Sequence, residues 1–264
     1  MANGFMTAYI SPQSSAQLQG LAALRNPDGT PMIDVVCLFA GNYAADQPPY
    51  LRAENNDPPT TKPLNDNIQN VLDDGSVEVL QSQGIKVLLT VMNGHAPVGW
   101  SEFTTETDAQ AFAQYLKTDI VDAYRLDGID IDDEYSSGTP NDTSLAMVTT
   151  LMRQLMPTAL ITKALWQDIS TFQADWNGNT LGANLDDGWE MSYGGDPQYR
   201  LPQYTPYMSS AKLSLGFSPG NPSNDPAADI AWLKANGYMG AMVFECESTA
   251  GMQLLETLAT DWSS

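Results

Sequence analysis

Short apolar runs alternate with amphipathic stretches along nearly the whole chain. The apolar runs have the length of strands, and several of the stretches between them repeat apolar residues at helical spacing. Eight runs fit the strand pattern: residues 5–10, 32–40, 86–92, 126–132, 160–165, 188–193, 211–217 and 240–245. Such alternation is typical of βα units that build a parallel sheet.

Helical periodicity is clear in four segments and weak in one long connection. The periodic apolar positions are Phe112, Leu116 and Ile120; Val148, Leu151, Met152 and Leu155; Ile230 and Leu233; and Met252, Leu255, Ala259 and Trp262. Residues 166–187 show little periodicity. We therefore expect an α/β fold, a single (β/α)8 TIM barrel over residues 1–264, with irregular or missing helices after strands five and six.

The connection after the second strand is long and rich in Pro, Asn and Asp. It spans residues 42–64 and contains Tyr43 and Tyr50. In a barrel the loops that follow the strands build the active site, so these tyrosines are candidates for the wall of a substrate cleft. A plain linker is the alternative interpretation.

Length and charge narrow the class of protein. The 264 residues lie within the range of roughly 200 to over 400 that one α/β barrel occupies. No stretch approaches the ~20 apolar residues that span a bilayer. The net charge of −21, from 32 acidic and 11 basic residues, disfavours nucleic acid and anionic membranes as partners. We expect a soluble monomer.

The two cysteines and the single histidine exclude several kinds of site. Cys37 and Cys246 lie far apart in apolar runs, which predicts two buried free thiols. His95 is the only histidine, so a site with several histidine ligands is excluded, and a Ser-His-Asp triad would have to use it. We expect neither a metal nor a cofactor.

The fourth strand candidate carries the most informative pattern. Strand alternation puts Asp130, Asp132 and Glu134 on one face and Ile129 and Ile131 on the other. If the isoleucines pack on the helices, the acids point into the barrel, where an unpaired carboxylate is costly unless function requires it. A calcium loop or the magnesium strand of an ATPase fits poorly, because the β register and the missing phosphate loop oppose them. A solvated edge strand is the remaining alternative.

These acids form a motif that resembles a known family. Asp127, Asp130, Asp132 and Glu134, with Gly128 inside the motif, resemble the D-x-x-D-x-D-x-E signature of glycoside hydrolase family 18. That family contains chitinases and endo-β-N-acetylglucosaminidases built on a (β/α)8 barrel. Residues 86–95 look like the family's third strand, and residues 191–193 look like its sixth.

One subgroup of that family resembles the chain more closely. Chitinases usually carry an aromatic residue between the last Asp and the Glu, whereas this chain has Asp133 there and Tyr135 after the Glu. That arrangement resembles endoglycosidase H and its relatives, which cleave between the two core N-acetylglucosamines of N-linked glycans. The chain departs from the chitinase pattern at Gly194, where Asp is common, and at Phe244, where Trp is common.

The resemblance implies a role for each catalytic candidate. Glu134 would be the general acid and then the base, and Asp132 would orient the substrate's acetamide, whose oxygen is the nucleophile in this family. Asp130 would share a proton with Asp132. Tyr193 would donate its hydroxyl to the acetamide oxygen; an ordinary core aromatic is its alternative interpretation.

Softer candidates for sugar contact lie at or beyond strand ends. The expected substrate-binding residues are Tyr9, Asn93, His95, Trp166 and Phe244, with Trp100 and Tyr199 as weaker ones. Each of the aromatic rings could equally be plain packing.

An N-glycan or another oligosaccharide that contains N-acetylglucosamine is the expected partner. Such a function favours an extracellular location, although residues 1–5 show no signal-peptide pattern. A chitinase and a sugar-binding barrel without activity are the rival functions. The intact Glu134 argues against the second.

Overall fold

The computed structural model describes residues 4–53 and 62–264, and its centre is a closed barrel of eight parallel strands. The barrel strands, in chain order, are β1 Phe5–Ile10, β2 Val35–Tyr43, β3 Lys86–Asn93, β4 Gly128–Asp132, β5 Leu160–Leu165, β6 Asp187–Glu190, β7 Leu213–Phe217 and β8 Gly240–Val243. Each strand pairs with the next in the chain, and pairing of β1 with both β2 and β8 closes the ring. The predicted TIM barrel is confirmed.

Helices surround the strands and vary in length as the sequence predicts. They are α1 Ser15–Ala23, α2 Asp66–Asp73, α3 Ser76–Ser82, α4 Glu106–Tyr115, α5 Ser144–Leu155, α6 Ile169–Gln173, α7 Leu181–Asn184, α8 Pro197–Arg200, α9 Pro226–Ala235 and α10 Thr249–Ser263. A π-helical segment, Leu116–Asp122, continues α4, and a 3-10 turn, Ser210–Lys212, precedes β7. The helices after β5 and β6 have only four or five residues, which confirms the irregular connections expected there.

Strand alternation divides the apolar residues into two layers. On β2, Val35 and Cys37 belong to the cluster inside the barrel, whereas Val36 and Leu38 belong to the larger cluster between strands and helices. Most of the buried apolar area lies in that outer layer, as in other α/β barrels. Cys37 and Cys246 are both free and buried, as predicted.

The second strand lies three residues further along the chain than the predicted 32–40. Asp34 folds its carboxylate onto the backbone N–H of Met6, at 2.8 Å, so ladder pairing begins only at Val35. A register shift between Leu38 and Gly41 then allows β2 to continue to Tyr43. Compared with the prediction, the fourth and seventh strands begin two residues later, the eighth ends two residues earlier, and the sixth spans 187–190 instead of 188–193.

Tyr43 and Tyr50 do not form the cleft wall that the sequence suggests. Both are buried, and their rings pack on Phe112 of α4 at centroid distances of 4.3 and 5.3 Å. They border a separate cavity outside the barrel mouth, with Glu102 and Asp108. Residues 54–61 of this connection lie outside the described residues. Within the described part of the chain, every helix is too short or too polar to cross a membrane.

Candidate active site

Asp130 is the most deeply buried carboxylate at the barrel's centre. Its Oδ2 accepts hydrogen bonds from the hydroxyls of Tyr9, at 2.5 Å, and Thr90, at 2.9 Å. Its Oδ1 accepts from Thr162 Oγ1, at 2.6 Å, and Trp189 Nε1, at 2.9 Å. Burial raises the pKa of Asp130, and the bonds that it accepts oppose the rise. Four neutral donors therefore compensate this carboxylate inside the barrel.

Asp132 lies two residues further along β4, where the barrel opens. Its side chain is buried, with the residue 4% exposed, yet its Oδ1 has no hydrogen-bond partner in the described residues. Burial, and then the negative charges of Glu134 and Asp130, raise its pKa to about 7, against the attraction of Lys163. Near neutral pH this carboxyl gains or loses a proton at little cost, and one oxygen remains available to a ligand.

A cleft of about 340 Å³ opens above Asp132 and Glu134. Most of its remaining lining is aromatic or apolar: Tyr9, Phe39, Tyr135, Ala164, Trp166, Met191, Tyr193, Met242 and Phe244, with Ser192. Its volume is at the lower end of the range for small-molecule sites, and its apolar lining with a few convergent polar groups is typical of them. Trp166 remains 49% exposed at the cleft, so one face of its indole is free to contact a ligand.

Tyr193 and Phe244 form one wall of this cleft. Their rings stack at a centroid distance of 5.9 Å, and Phe39 meets Phe244 edge-on at 5.4 Å. Burial, followed by the charges of Asp132 and Glu134, raises the pKa of Tyr193 well above its usual value, so its hydroxyl keeps its proton. Tyr193 has a φ of +38°, a strained region for a bulky side chain. Strain of this kind is concentrated at functional sites.

Tyr135 also lines this cleft. It also has a positive φ, of +67°, and is 55% exposed, and the His95 ring lies 5.1 Å from its ring. The cleft thus brings together Tyr9, Asp132, Glu134, Trp166, Tyr193 and Phe244 from the sequence candidates, with Asp130 beneath them. Tyr9 lines the cleft with its ring, while its hydroxyl is bonded to Asp130.

Four other candidates lie outside the cleft, and each has a physical reason. Asn93 is fully buried behind the barrel wall, where it donates to Asp133 at 3.0 Å and accepts from the Trp100 backbone. Trp100 is also buried, with its indole bonded to the Val91 carbonyl. His95 reaches the rim only through Tyr135. Tyr199 is 76% exposed and does not line the cleft.

Asp127 and Gly128 serve the opposite end of β4. Asp127 accepts from the Val87 N–H at 2.9 Å and pairs with Lys86 at 2.8 Å, which fixes the start of β4 against β3. A Cβ at Gly128 would lie 2.0 Å from the carbonyl oxygen of Leu160 on β5. Only glycine fits such a close approach of two backbones. These two motif residues position the strand.

The sequence reading missed several polar residues around the acids. Thr90, Thr162 and Trp189 bind Asp130. Lys163 and Glu190 are charged groups buried near the strand ends, and the partly buried Asp168 pairs with Lys163. A polar residue in the middle of an apolar strand was the available signal for Thr90, Thr162 and Lys163. No group of three or more metal-binding side chains occurs among residues 4–53 and 62–264.

Residues 57–228 match the family described as the endo-beta-N-acetylglucosaminidase EndoS TIM-barrel domain. An endo-beta-N-acetylglucosaminidase from a Flavobacterium species is 30% identical over 243 residues, which cover 88% of this chain and 71% of the relative. Endo-beta-N-acetylglucosaminidase F1 of Elizabethkingia meningoseptica is 28% identical over 255 residues, which cover 92% of this chain and 71% of the relative.

A solved structure shares the fold. The enzyme EndoBT-3987 of Bacteroides thetaiotaomicron, in complex with Man9GlcNAc2Asn, superimposes with a TM-score of 0.74 and 22% identity. The match covers 97% of this chain and 64% of that one, so the chain spans less than two thirds of the Bacteroides enzyme. With a matched family domain over more than half of its length and a 30% identical relative, the chain belongs to the family of endo-β-N-acetylglucosaminidase EndoS TIM-barrel domains.

Proposed function

We propose that the protein hydrolyses the β-1,4 bond of the N,N'-diacetylchitobiose core of N-linked glycans, with retention of configuration and with the substrate's own acetamide as nucleophile. The observation that carries this proposal is the pair of acids at the cleft floor. Asp132 offers a buried oxygen that accepts no hydrogen bond from residues 4–53 and 62–264, and Glu134 lines the same cleft. The unpaired oxygen of Asp132 suits an acetamide N–H, and the carboxyl of Glu134 suits a glycosidic oxygen.

The first step needs an acid and a guided nucleophile. Glu134 donates its proton to the glycosidic oxygen as the bond to the anomeric carbon breaks, and the acetamide oxygen forms a new bond to that carbon. Asp132 accepts the acetamide N–H and balances the positive oxazolinium that results. The Tyr193 hydroxyl, which keeps its proton, donates to the acetamide oxygen and holds it beneath the anomeric carbon.

The second step reverses the proton transfer. The Glu134 carboxylate takes a proton from water, and the water oxygen attacks the anomeric carbon from the side that the leaving group occupied. The oxazolinium ring opens and restores the acetamide. Two inversions at one carbon give net retention.

The wall aromatics and the relatives support an N-glycan as substrate. Trp166, Tyr193 and Phe244 present flat faces of the kind that pack on sugar rings. The solved relative from Bacteroides binds Man9GlcNAc2Asn, a high-mannose glycan that contains the chitobiose core. Chitinases commonly carry Asp where Gly194 stands. Here a φ of +65° and Asn221, 2.9 Å from the site of a Cβ, disfavour any side chain.

A parallel digest tests the proposal. A glycoprotein with high-mannose chains and a chitin oligomer are incubated with the enzyme in separate reactions, and the products are identified by mass spectrometry. We expect a released glycan that ends in one N-acetylglucosamine and a protein that keeps the other. Cleavage of the oligomer with an intact glycoprotein would indicate a chitinase, and no cleavage of either would indicate a sugar-binding barrel.

A further inference from the structure

Strand alternation places two charged residues behind the catalytic strand. Asp130 and Asp132 face the barrel interior, so the side chain of Asp133 points to the outer side of the barrel wall, where Asn93 donates a hydrogen bond to it. On β5, Lys163 is in register with Ile131, an outward residue of β4. Asp133 and Lys163 therefore share the layer between the barrel and its outer loops. We call this group, with Asp168, the outer charge cluster.

Lys163 is held at a fixed place in the outer charge cluster. It is 2% exposed, its Nζ lies 2.6 Å from Asp168 Oδ2, and it donates to the Ala164 carbonyl at 2.8 Å. Tyr204 donates to the other oxygen of Asp168 at 3.1 Å. A long side chain held by these contacts cannot move to solvent, so its positive charge stays beside the catalytic strand.

Asp133 is fixed as firmly. Its carboxylate accepts from Asn93 at 3.0 Å and from the hydroxyl of Ser101. The chain after it is tied to the same loop, because Ser137 donates its backbone N–H to the Ala96 carbonyl at 3.0 Å. The negative charge of Asp133 therefore has a defined position relative to its neighbour Asp132.

Both charges act on the cleft through the strand. Lys163 lowers the pKa of Asp132, whereas Asp133 raises it. The titratable groups around Asp132 on the cleft side are Tyr9, Asp130, Glu134, Tyr135 and Tyr193, and those behind the wall are Asp133 and Lys163. Lys163 is the cation among these groups. Burying a lysine is costly, and an apolar side chain of the same length would fill this space at lower cost.

We propose that Lys163 and Asp133 are positioning residues for the reaction, which set, from the outer side of the barrel wall, the charge that Asp132 carries when substrate binds. The proposal rests on the proposed function, because it gives Asp132 the task of carrying negative charge beside an oxazolinium. Opposite charges at these two sites should have opposite effects. A merely structural role would not distinguish their signs.

The test compares Lys163→Met with Asp133→Asn. Loss of the ammonium disfavours the ionised carboxylate of Asp132, so the limb of the pH profile of kcat/KM that reports Asp132 should move to higher pH, by about one unit for a charge in a site of this burial. Loss of the Asp133 charge should move that limb to lower pH. Arg153→Met is the matched control, since its ion pair with Asp186, at 2.6 Å, lies at the other end of the barrel. That variant should lose stability and keep its profile.

Two precautions keep every result decisive. If Lys163→Met fails to fold by circular dichroism, Lys163→Met/Asp168→Asn removes the buried anion that the methionine leaves unpaired, and the alkaline movement should persist. If turnover is too slow, calorimetry can measure the pH dependence of binding of a sugar thiazoline, a stable analogue of the proposed oxazolinium, which reports the same carboxyl of Asp132.

The inference is overturned if the pH profiles of both variants move in the same direction, or if neither moves further than that of the control. Glycan release by the wild type would then still leave the proposed function intact. Absence of glycan release by the wild type would instead overturn the proposed function.

Discussion

Asp132 and Asp133 are neighbours in the chain whose side chains lie on opposite sides of the barrel wall. Asp132 faces the cleft with an oxygen that has no hydrogen-bond partner in the described part of the chain, and Asp133 is bonded to Asn93 and Ser101 behind it. The run of acids is therefore two groups with different surroundings. Only the inner group, with Glu134, can reach a sugar in the cleft.

Replacing the proposed acid tests the inner group first. Glu134→Gln preserves shape and removes the transferable proton, so the enzyme should fold normally and lose about 10²- to 10⁴-fold in rate. Glycan release measured by chromatography gives the rate. Glu102→Gln is the control, because that carboxyl borders the separate cavity beside Tyr43. Near-wild-type turnover by Glu134→Gln would remove Glu134 from the mechanism.

The Tyr193 hydroxyl should matter more than its ring. Tyr193→Phe keeps the stacking on Phe244 and deletes the proton that would hold the acetamide oxygen. The loss of one such donor in a transition state costs about 10² or more in rate, so kcat should fall while KM changes little. Tyr238→Phe, a tyrosine of the helix layer stacked on Trp232, should leave both constants unchanged. A changed KM with a wild-type kcat would assign Tyr193 to ground-state binding.

Asp132 should lower the stability of the fold at neutral pH. Its pKa is raised from 3.8 to about 7 in the folded state, so the folded protein binds an extra proton between those values and loses stability as the pH rises through them. Asp132→Asn removes this loss. We expect its free energy of unfolding to exceed the wild-type value by up to about 4 kcal/mol at pH 8, since each pKa unit corresponds to about 1.4 kcal/mol, and by much less at pH 4. Urea denaturation at both pH values measures the difference, and a gap independent of pH would contradict it.

Sequence periodicity was sufficient for the barrel and for the inward acids. Alternation through Ile129, Asp130, Ile131 and Asp132 fixed which side chains point inward, because a strand that is buried on both faces has no other arrangement. Both bounds of the second strand were harder to predict. The bond from Met6 to Asp34 and the later register shift depend on contacts between distant parts of the chain.

The same alternation explains why Asn93 lies outside the cleft for which it was a candidate, and why Lys163 was not among the candidates. Asn93 stands at the end of a strand, where the sequence suggests a cleft residue. Met92 is in register with the inward Asp132, so the next residue, Asn93, which is in register with Tyr43, points outward. Lys163 lies within an apolar run, and its partner Asp168 comes from the following loop. The alternation of inward and outward side chains could be predicted from the sequence. The partners of Asn93 and Lys163 could not, because they come from other parts of the folded chain.

The central claim is that the acetamide of the substrate, and no carboxylate of the protein, attacks the anomeric carbon. The most direct measurement gives the Asp132→Asn variant a preformed sugar oxazoline together with an acceptor that carries N-acetylglucosamine. Since the variant lacks the group that orients the acetamide, hydrolysis of the natural glycan should fall, while the oxazoline should still be accepted and the transfer product should accumulate. A variant that hydrolyses glycan normally but refuses the oxazoline, or a wild-type enzyme that a fluorosugar traps as an ester on Asp130, Asp132 or Glu134, would contradict the account.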